Sequence, residues 1–150
     1  MRNSATLCFL CSAILIPVFA APPDNNSLDQ RSIDALEQRA VQAPPKDQYF
    51  LYAQLVHQMV EFSAQQFAGG DVEHGQGLLK QVQSFIHKIH MDLANNDKRL
   101  KKSQILLRRS AFMLDQLLHA SDPDERPLIS QTLAELNQVQ TDAMLQVFRK

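Results

Sequence analysis

Beyond Cys11 the chain has no cysteine, it has no tryptophan at all, and its four glycines are confined to positions 69–77. Each absence excludes a class of chemistry. Cys8 and Cys11 lie in an N-terminal stretch that reads as a leader. The processed chain is therefore expected to hold no disulfide, thiolate metal site, iron–sulfur cluster or cysteine nucleophile. The glycines (Gly69, Gly70, Gly75 and Gly77) do not form a phosphate-binding loop, because no Lys-Ser or Lys-Thr follows them and no strand precedes them. There is no Gly-x-Ser-x-Gly elbow and no Cys-x-x-Cys-His haem attachment. No Glu is followed three residues later by His, which a di-iron carboxylate bundle needs on two helices. A basic excess is missing too: 15 Lys and Arg stand against 16 Asp and Glu for a net charge of −1, and −2 once Arg2 leaves with the leader. Nucleic acid is not an expected partner. No cofactor is expected either.

The N-terminus has the parts of a secretory signal. Arg2 precedes an apolar run from Ala5 to Ile16, broken only by Thr6 and Ser12. Pro17 ends that run before Val18-Phe19-Ala20, whose first and third residues suit signal peptidase, so cleavage is expected after Ala20. A retained membrane anchor needs about 20 apolar residues, more than this run supplies. Neither cysteine has the small preceding residues that lipid attachment requires. The expected organisation is a signal peptide over 1–20, a flexible lead-in over 21–27, and a single helical domain over 28–150 that does not span a membrane. The predicted location is periplasmic or secreted. Asn25-Asn26-Ser27 is a glycosylation sequon without meaning in a bacterial host. Taking 20 residues from 150 leaves 130, a length that buries about two-thirds of its unfolded surface, so packing alone can hold the fold.

Helical periodicity runs through the rest, and period-two alternation is absent. A short first helix is expected from Leu28 to Val41, capped by Ser27, with Ile33, Leu36 and Ala40 on one stripe. Pro44-Pro45 stops it. The second, Lys46 to Ala68, confines its polar residues to one narrow line (Asp47, Gln54, Gln58, Glu61, Gln65) and is apolar around most of its circumference. It is therefore expected to be the most buried element, ended by a left-handed cap at Gly69-Gly70. A third helix, capped by Asp71, runs to Asn95, with Gly75 placed where a neighbour approaches closely. A fourth spans Lys98 to His119, burying Leu100, Leu106, Leu107, Met113, Leu114, Leu117 and Leu118. A fifth ends at Phe148, with Ile129, Leu133, Leu136, Ala143 and Val147 as a seam that Gln140 interrupts. Short loops favour up-and-down neighbours. The expected fold class is all-α: a short N-terminal helix plus an antiparallel four-helix bundle.

Two features carry candidate chemistry. His87 and His90 sit three apart on one helix, so both imidazoles can face one metal ion, with Asp92 or His57 as a third ligand; equally, they are two surface histidines. The fourth helix gathers Lys98, Arg99, Lys101, Lys102, Arg108 and Arg109, with no acid from Lys98 to Leu114. Most of these occupy an arc of ~120° opposite the leucine face, and Ile105 and Phe112 fall inside it. One reading covers this strip with the first helix, whose Asp29, Asp34 and Glu37 match its sign. The other turns it toward an anionic surface or a protein partner.

The segment Ala64 to Val82, AQQFAGGDVEHGQGLLKQV, resembles a tetratricopeptide-type helical hairpin in its Gly-Asp turn between two helices. No second copy follows at the step of about 34 residues that such arrays need, so the resemblance implies local packing only. More broadly, a leader followed by one short and four amphipathic helices looks like uncharacterised secreted helical proteins of soil bacteria, a likeness that carries no activity. The function expected is a non-enzymatic exported interaction module, with self-association among its partner options. The alternative is a small-ligand or metal-binding bundle using His87/His90 or the aromatic second helix.

Overall fold

Caps and breakers in the chain set where each helix begins and ends. The computed structural model describes residues 29–92 and 97–148, without the side chains of 90–92, 97–98 and 146–148. It contains five α-helices: α1 (Gln30–Gln42), α2 (Pro45–Ala68), α3 (Val72–Asp92), α4 (Asp97–Ala120) and α5 (Arg126–Phe148). No strand occurs among the described residues. The leader, the lead-in and the Ser27 cap lie outside the described residues, as do Leu93 to Asn96.

Asp29 caps α1. Its carboxylate accepts the Ser32 amide at 2.8 Å while its own amide donates to Ser32 Oγ, a reciprocal capping box. In the turn between α2 and α3, Gly70 takes φ +83°, and the amides of Gly70 and Asp71 donate back to the carbonyls of Phe67 and Gln66. This is the glycine-terminated helix end that a residue with a Cβ resists. Asp71 then caps α3 by accepting the His74 amide at 3.2 Å. Pro127 stands at the second position of α5, where an amide would have no helical partner in any case.

Residues from all five helices enter one apolar core, and α2 contributes most to it. It packs against α1, α3 and α4, whereas α5 packs against α3 and α4, and α1 meets α2 alone among the described residues. Leu55, Val56, Met59 and Val60 are fully buried. α2/α3 and α4/α5 are antiparallel hairpins. Between the hairpins, α2 and α4 run the same way: Arg99 pairs with Asp47 at 2.8 Å near their beginnings, and His57 meets Ser110 further along. The direction thus alternates from α2 to α5, and what differs from the expectation is that α3 and α4 are not neighbours among the described residues. Instead, α4 lies parallel to α2.

Two buried lines differ from the sequence expectation for one physical reason. On α4 the line is Ser103, Leu107, Ser110, Leu114 and Leu117, continued past the helix by Ser121, while Leu100, Leu106, Met113 and Leu118 are only partly buried. On α5 it is Ile129, Thr132, Leu136, Val139 and Ala143, so Leu133 moves to the margin and Gln140 interrupts nothing. Ser103, Ser110 and Thr132 donate their hydroxyls to the carbonyls of Arg99, Leu106 and Leu128 at 3.1, 3.0 and 2.8 Å. A hydroxyl satisfied within its own helix can be buried as a small residue, and here it keeps the 3–4 spacing of a packing seam.

Tyr49 presents a buried polar group on the α2/α4 seam. It is 2 % exposed, and its hydroxyl faces the Gln104 side chain without either closing a hydrogen bond of regular geometry. Burial pushes the phenol up from 10.0 to about 12, with Gln104 acting weakly the other way. The unfolded chain releases this proton near pH 10 and the folded chain holds it to about 12. Stability therefore falls as pH rises through that window, by about 3 kcal/mol. Tyr49→Phe is expected to be at least as stable as the parent at neutral pH, since an unpaired buried hydroxyl is removed. It should also lose that share of the alkaline fall. Urea midpoints at neutral pH and across the alkaline window measure both effects, and an unchanged alkaline slope would assign the loss to other groups.

Candidate functional site

The buried line of α4 fixes what its opposite face shows. With Leu107, Ser110 and Leu114 turned inward, Lys101, Lys102, Arg108 and Arg109 are exposed, and between them Ile105 is 47 % and Phe112 is 62 % exposed. At 100° per residue the order across the face is regular. Ile105 and Phe112 form a central apolar line, with Lys101 and Arg108 on one side and Lys102 and Arg109 on the other. Helix α1, which the sequence offered as a cover, packs on α2 and leaves this strip open. Lys98 belongs to the same arc by sequence, but its side chain lies outside the described residues. Arg99 leaves the cluster: it pairs with Asp47 and lies over the Phe50 ring, 5.5 Å from its centre.

Beside the strip, α2 and α4 enclose an open groove of about 550 Å³ lined by His57, Ile105, Arg108, Arg109, Phe112 and Met113. Its walls are largely apolar and its cations stand at the rim. A second concavity, about 440 Å³, continues along the α2/α4 seam from Met113 to Ala120 and Ser121. Sequence reasoning missed the groove, because it assigned His57 to a metal set and did not register α2 against α4.

His57 Nδ1 lies 3.2 Å from Ser110 Oγ, whose hydroxyl donates to the Leu106 carbonyl at 3.0 Å. Where the serine proton goes to that carbonyl, Nδ1 carries the imidazole hydrogen and Oγ accepts it; in the other tautomer Oγ donates to Nδ1. Ser110 is fully buried, and its hydroxyl lies within hydrogen-bond reach of the backbone of its own helix. Burial lowers the His57 pKa below 6.5; Glu61 opposes the shift and Arg109 adds to it. The imidazole is thus held neutral in the groove at neutral pH.

His87 is exposed, the side chains of His90 and Asp92 lie outside the described residues, and His57 faces α4 against Ser110. Among the described residues no three His, Cys, Asp or Glu side chains are grouped to hold a metal ion. On the aromatic second helix, offered as a ligand-binding wall, Tyr49, Tyr52 and Met59 are packed into the core. On α5, Met144, one turn past Gln140, and Leu145 are exposed; the side chain of Phe148 lies outside the described residues. Among the described residues, no helix is long and apolar enough to cross a membrane.

Comparison with protein-family models, curated proteins and solved structures finds no match to this chain.

Proposed function

We propose that the chain is an exported, non-enzymatic helical interaction module that engages an anionic partner through the outer face of α4. The observation that carries this reading is Phe112, 62 % exposed on an unbroken helix, with Ile105 on the same line and four cations around them. A solvated charged helix face gains nothing from a phenyl ring at its centre. An apolar patch rimmed by charge of one sign is the pattern of a surface that meets something. Binding need not order this strip first, because the far side of α4 is already fixed in the core. On this reading the two hairpins form a four-helix support, and export of the chain follows from the leader.

The test is site-specific photo-crosslinking in the native envelope. A benzophenone side chain at Phe112 or Ile105 is expected to give covalent adducts, while the same group at Gln131 or Ala134, exposed on α5, should give background only. Absence of adducts at both α4 positions would remove the interaction reading.

The alternative, a small-ligand bundle, is supported by the groove beside His57 rather than by the His87/His90 pair. Its volume and apolar walls suit a single acyl chain with an anionic head at Arg108 and Arg109.

A further inference from the structure

We propose that the α4 face docks on the surface of an anionic phospholipid bilayer, with Phe112 and Ile105 entering the interfacial layer and Lys101, Lys102, Arg108 and Arg109 meeting lipid phosphates. This rests on the interaction reading above and adds the chemistry of the partner.

The first argument is charge. α4 carries no acid from Lys98 to Leu114, although the whole chain is slightly acidic, so the positive charge is a property of this face and not of the molecule. Across the groove Glu61 on α2 acts on His57, and along α4 the first acid is Asp115, three residues beyond Phe112. The second argument is layout. The apolar residues form a ridge one heptad long, flanked on both sides by cations, as on a helix lying in the plane of a membrane interface. From Lys101 to Phe112 the arc contains only these six residues, and neutral Gln116 and acidic Asp115 stand exposed at its far end, about a turn past Phe112. A protein partner is ordinarily read through neutral hydrogen-bonding groups around an apolar centre. Phosphates of a fluid surface need no fixed geometry, and lysine and arginine can meet them as they come. The third argument is rigidity. The ridge is presented by a helix whose opposite side is buried along a line from Ser103 to Leu117, so no folding accompanies docking.

Each basic side chain near an anionic surface strengthens partitioning by about fivefold, so neutralising all four should weaken it by at least about a hundredfold. The chain has no tryptophan, so Phe112→Trp places a single reporter on the ridge. The full chain is expressed with its leader, and the exported product is mixed with vesicles of phosphatidylcholine alone or of equal parts phosphatidylcholine and phosphatidylglycerol.

Three results are expected. The protein should sediment with the mixed vesicles and not with the neutral ones, and added salt should release it. The indole emission of the Phe112→Trp variant should shift to the blue with the mixed vesicles, while a Gln131→Trp control stays unshifted. The fourfold variant Lys101→Gln, Lys102→Gln, Arg108→Gln, Arg109→Gln should lose binding while keeping the parent's melting curve.

Equal binding to neutral vesicles would overturn the proposal, as would an unshifted emission from Phe112→Trp with no sedimentation. If vesicles fail while crosslinks at Phe112 join the chain to a protein, the interaction reading stands and the lipid surface is overturned. Binding of monomeric dodecyl phosphate without binding of vesicles would overturn it in favour of the groove as a ligand site.

Discussion

The double variant Leu55→Ala, Met59→Ala is expected to lose most or all of its cooperative unfolding transition. Both side chains are fully buried one turn apart on α2, the helix that packs against three others. Each truncation removes apolar contact and leaves a cavity, at a cost of about 2–5 kcal/mol. The two cavities adjoin, so the costs need not add, but about 5 kcal/mol is a fair total. A domain with about 5–15 kcal/mol of stability cannot absorb that safely. The comparison variant is Ile33→Ala. That residue is equally buried, but among the described residues α1 touches only α2, so the melt should shift down and remain sharp. Deleting residues 46–68 should leave no cooperative transition at all. Thermal and urea melts followed by circular dichroism distinguish the cases, and a sharp melt in the double variant would place the centre of the core elsewhere.

The all-helical class and the helix ends were legible because they depend on residues with unambiguous backbone effects. Pro44-Pro45, Gly69-Gly70 and the segment Ser121 to Asp124 each break the chain whatever surrounds them. The burial of α2 was legible for a related reason: a helix apolar around most of its circumference needs several neighbours. The faces of α4 and α5 were misread where a hydroxyl residue stood on the seam. Ser103, Ser110 and Thr132 count as polar in any periodicity argument, yet each hydroxyl bonds to a carbonyl four residues back and the residue packs as a small one. The N-cap of α1 was assigned to Ser27 because serine is a strong cap, but Asp29 and Ser32 cap each other and start the helix at Gln30.

The candidate site was half legible. Composition and spacing placed the cations, Ile105 and Phe112 on one arc of α4. Whether anything covered that arc depended on which helix lay beside it, and charge matching pointed to α1. Packing decided against that cover, because the stripe of Ile33, Leu36 and Ala40 is buried on α2. The groove at His57 needed the parallel register of α2 and α4, which no local pattern encodes. Pairwise contacts such as Asp47 with Arg99 fix it only once the chain is folded.

Gly75→Val is expected to destabilise the chain by about 3 kcal/mol, whereas Gly77→Ala should stabilise it by up to about 1 kcal/mol. Glycine inside a helix costs about 1 kcal/mol against alanine, so one that is not needed is a reserve of stability. Gly77 is of that kind, because a Cβ there meets nothing within 4 Å. Gly75 is not. A Cβ at Gly75 would stand 2.7 Å from Phe67 Cδ2 and 3.3 Å from the Ser63 carbonyl oxygen. The phenyl ring is only partly buried and can swing aside, so alanine alone does not decide the matter. The Ser63 carbonyl belongs to the α2 backbone and cannot move without it. Valine adds two methyl groups at that crossing and parts the hairpin where Ser63 Oγ donates to the Gly75 carbonyl at 2.8 Å. The separation leaves a fully buried hydroxyl without its acceptor, a loss additional to the steric one. Urea midpoints for the two variants should therefore move in opposite directions. Movement in the same direction would mean that α2 and α3 cross with more room than a glycine contact allows.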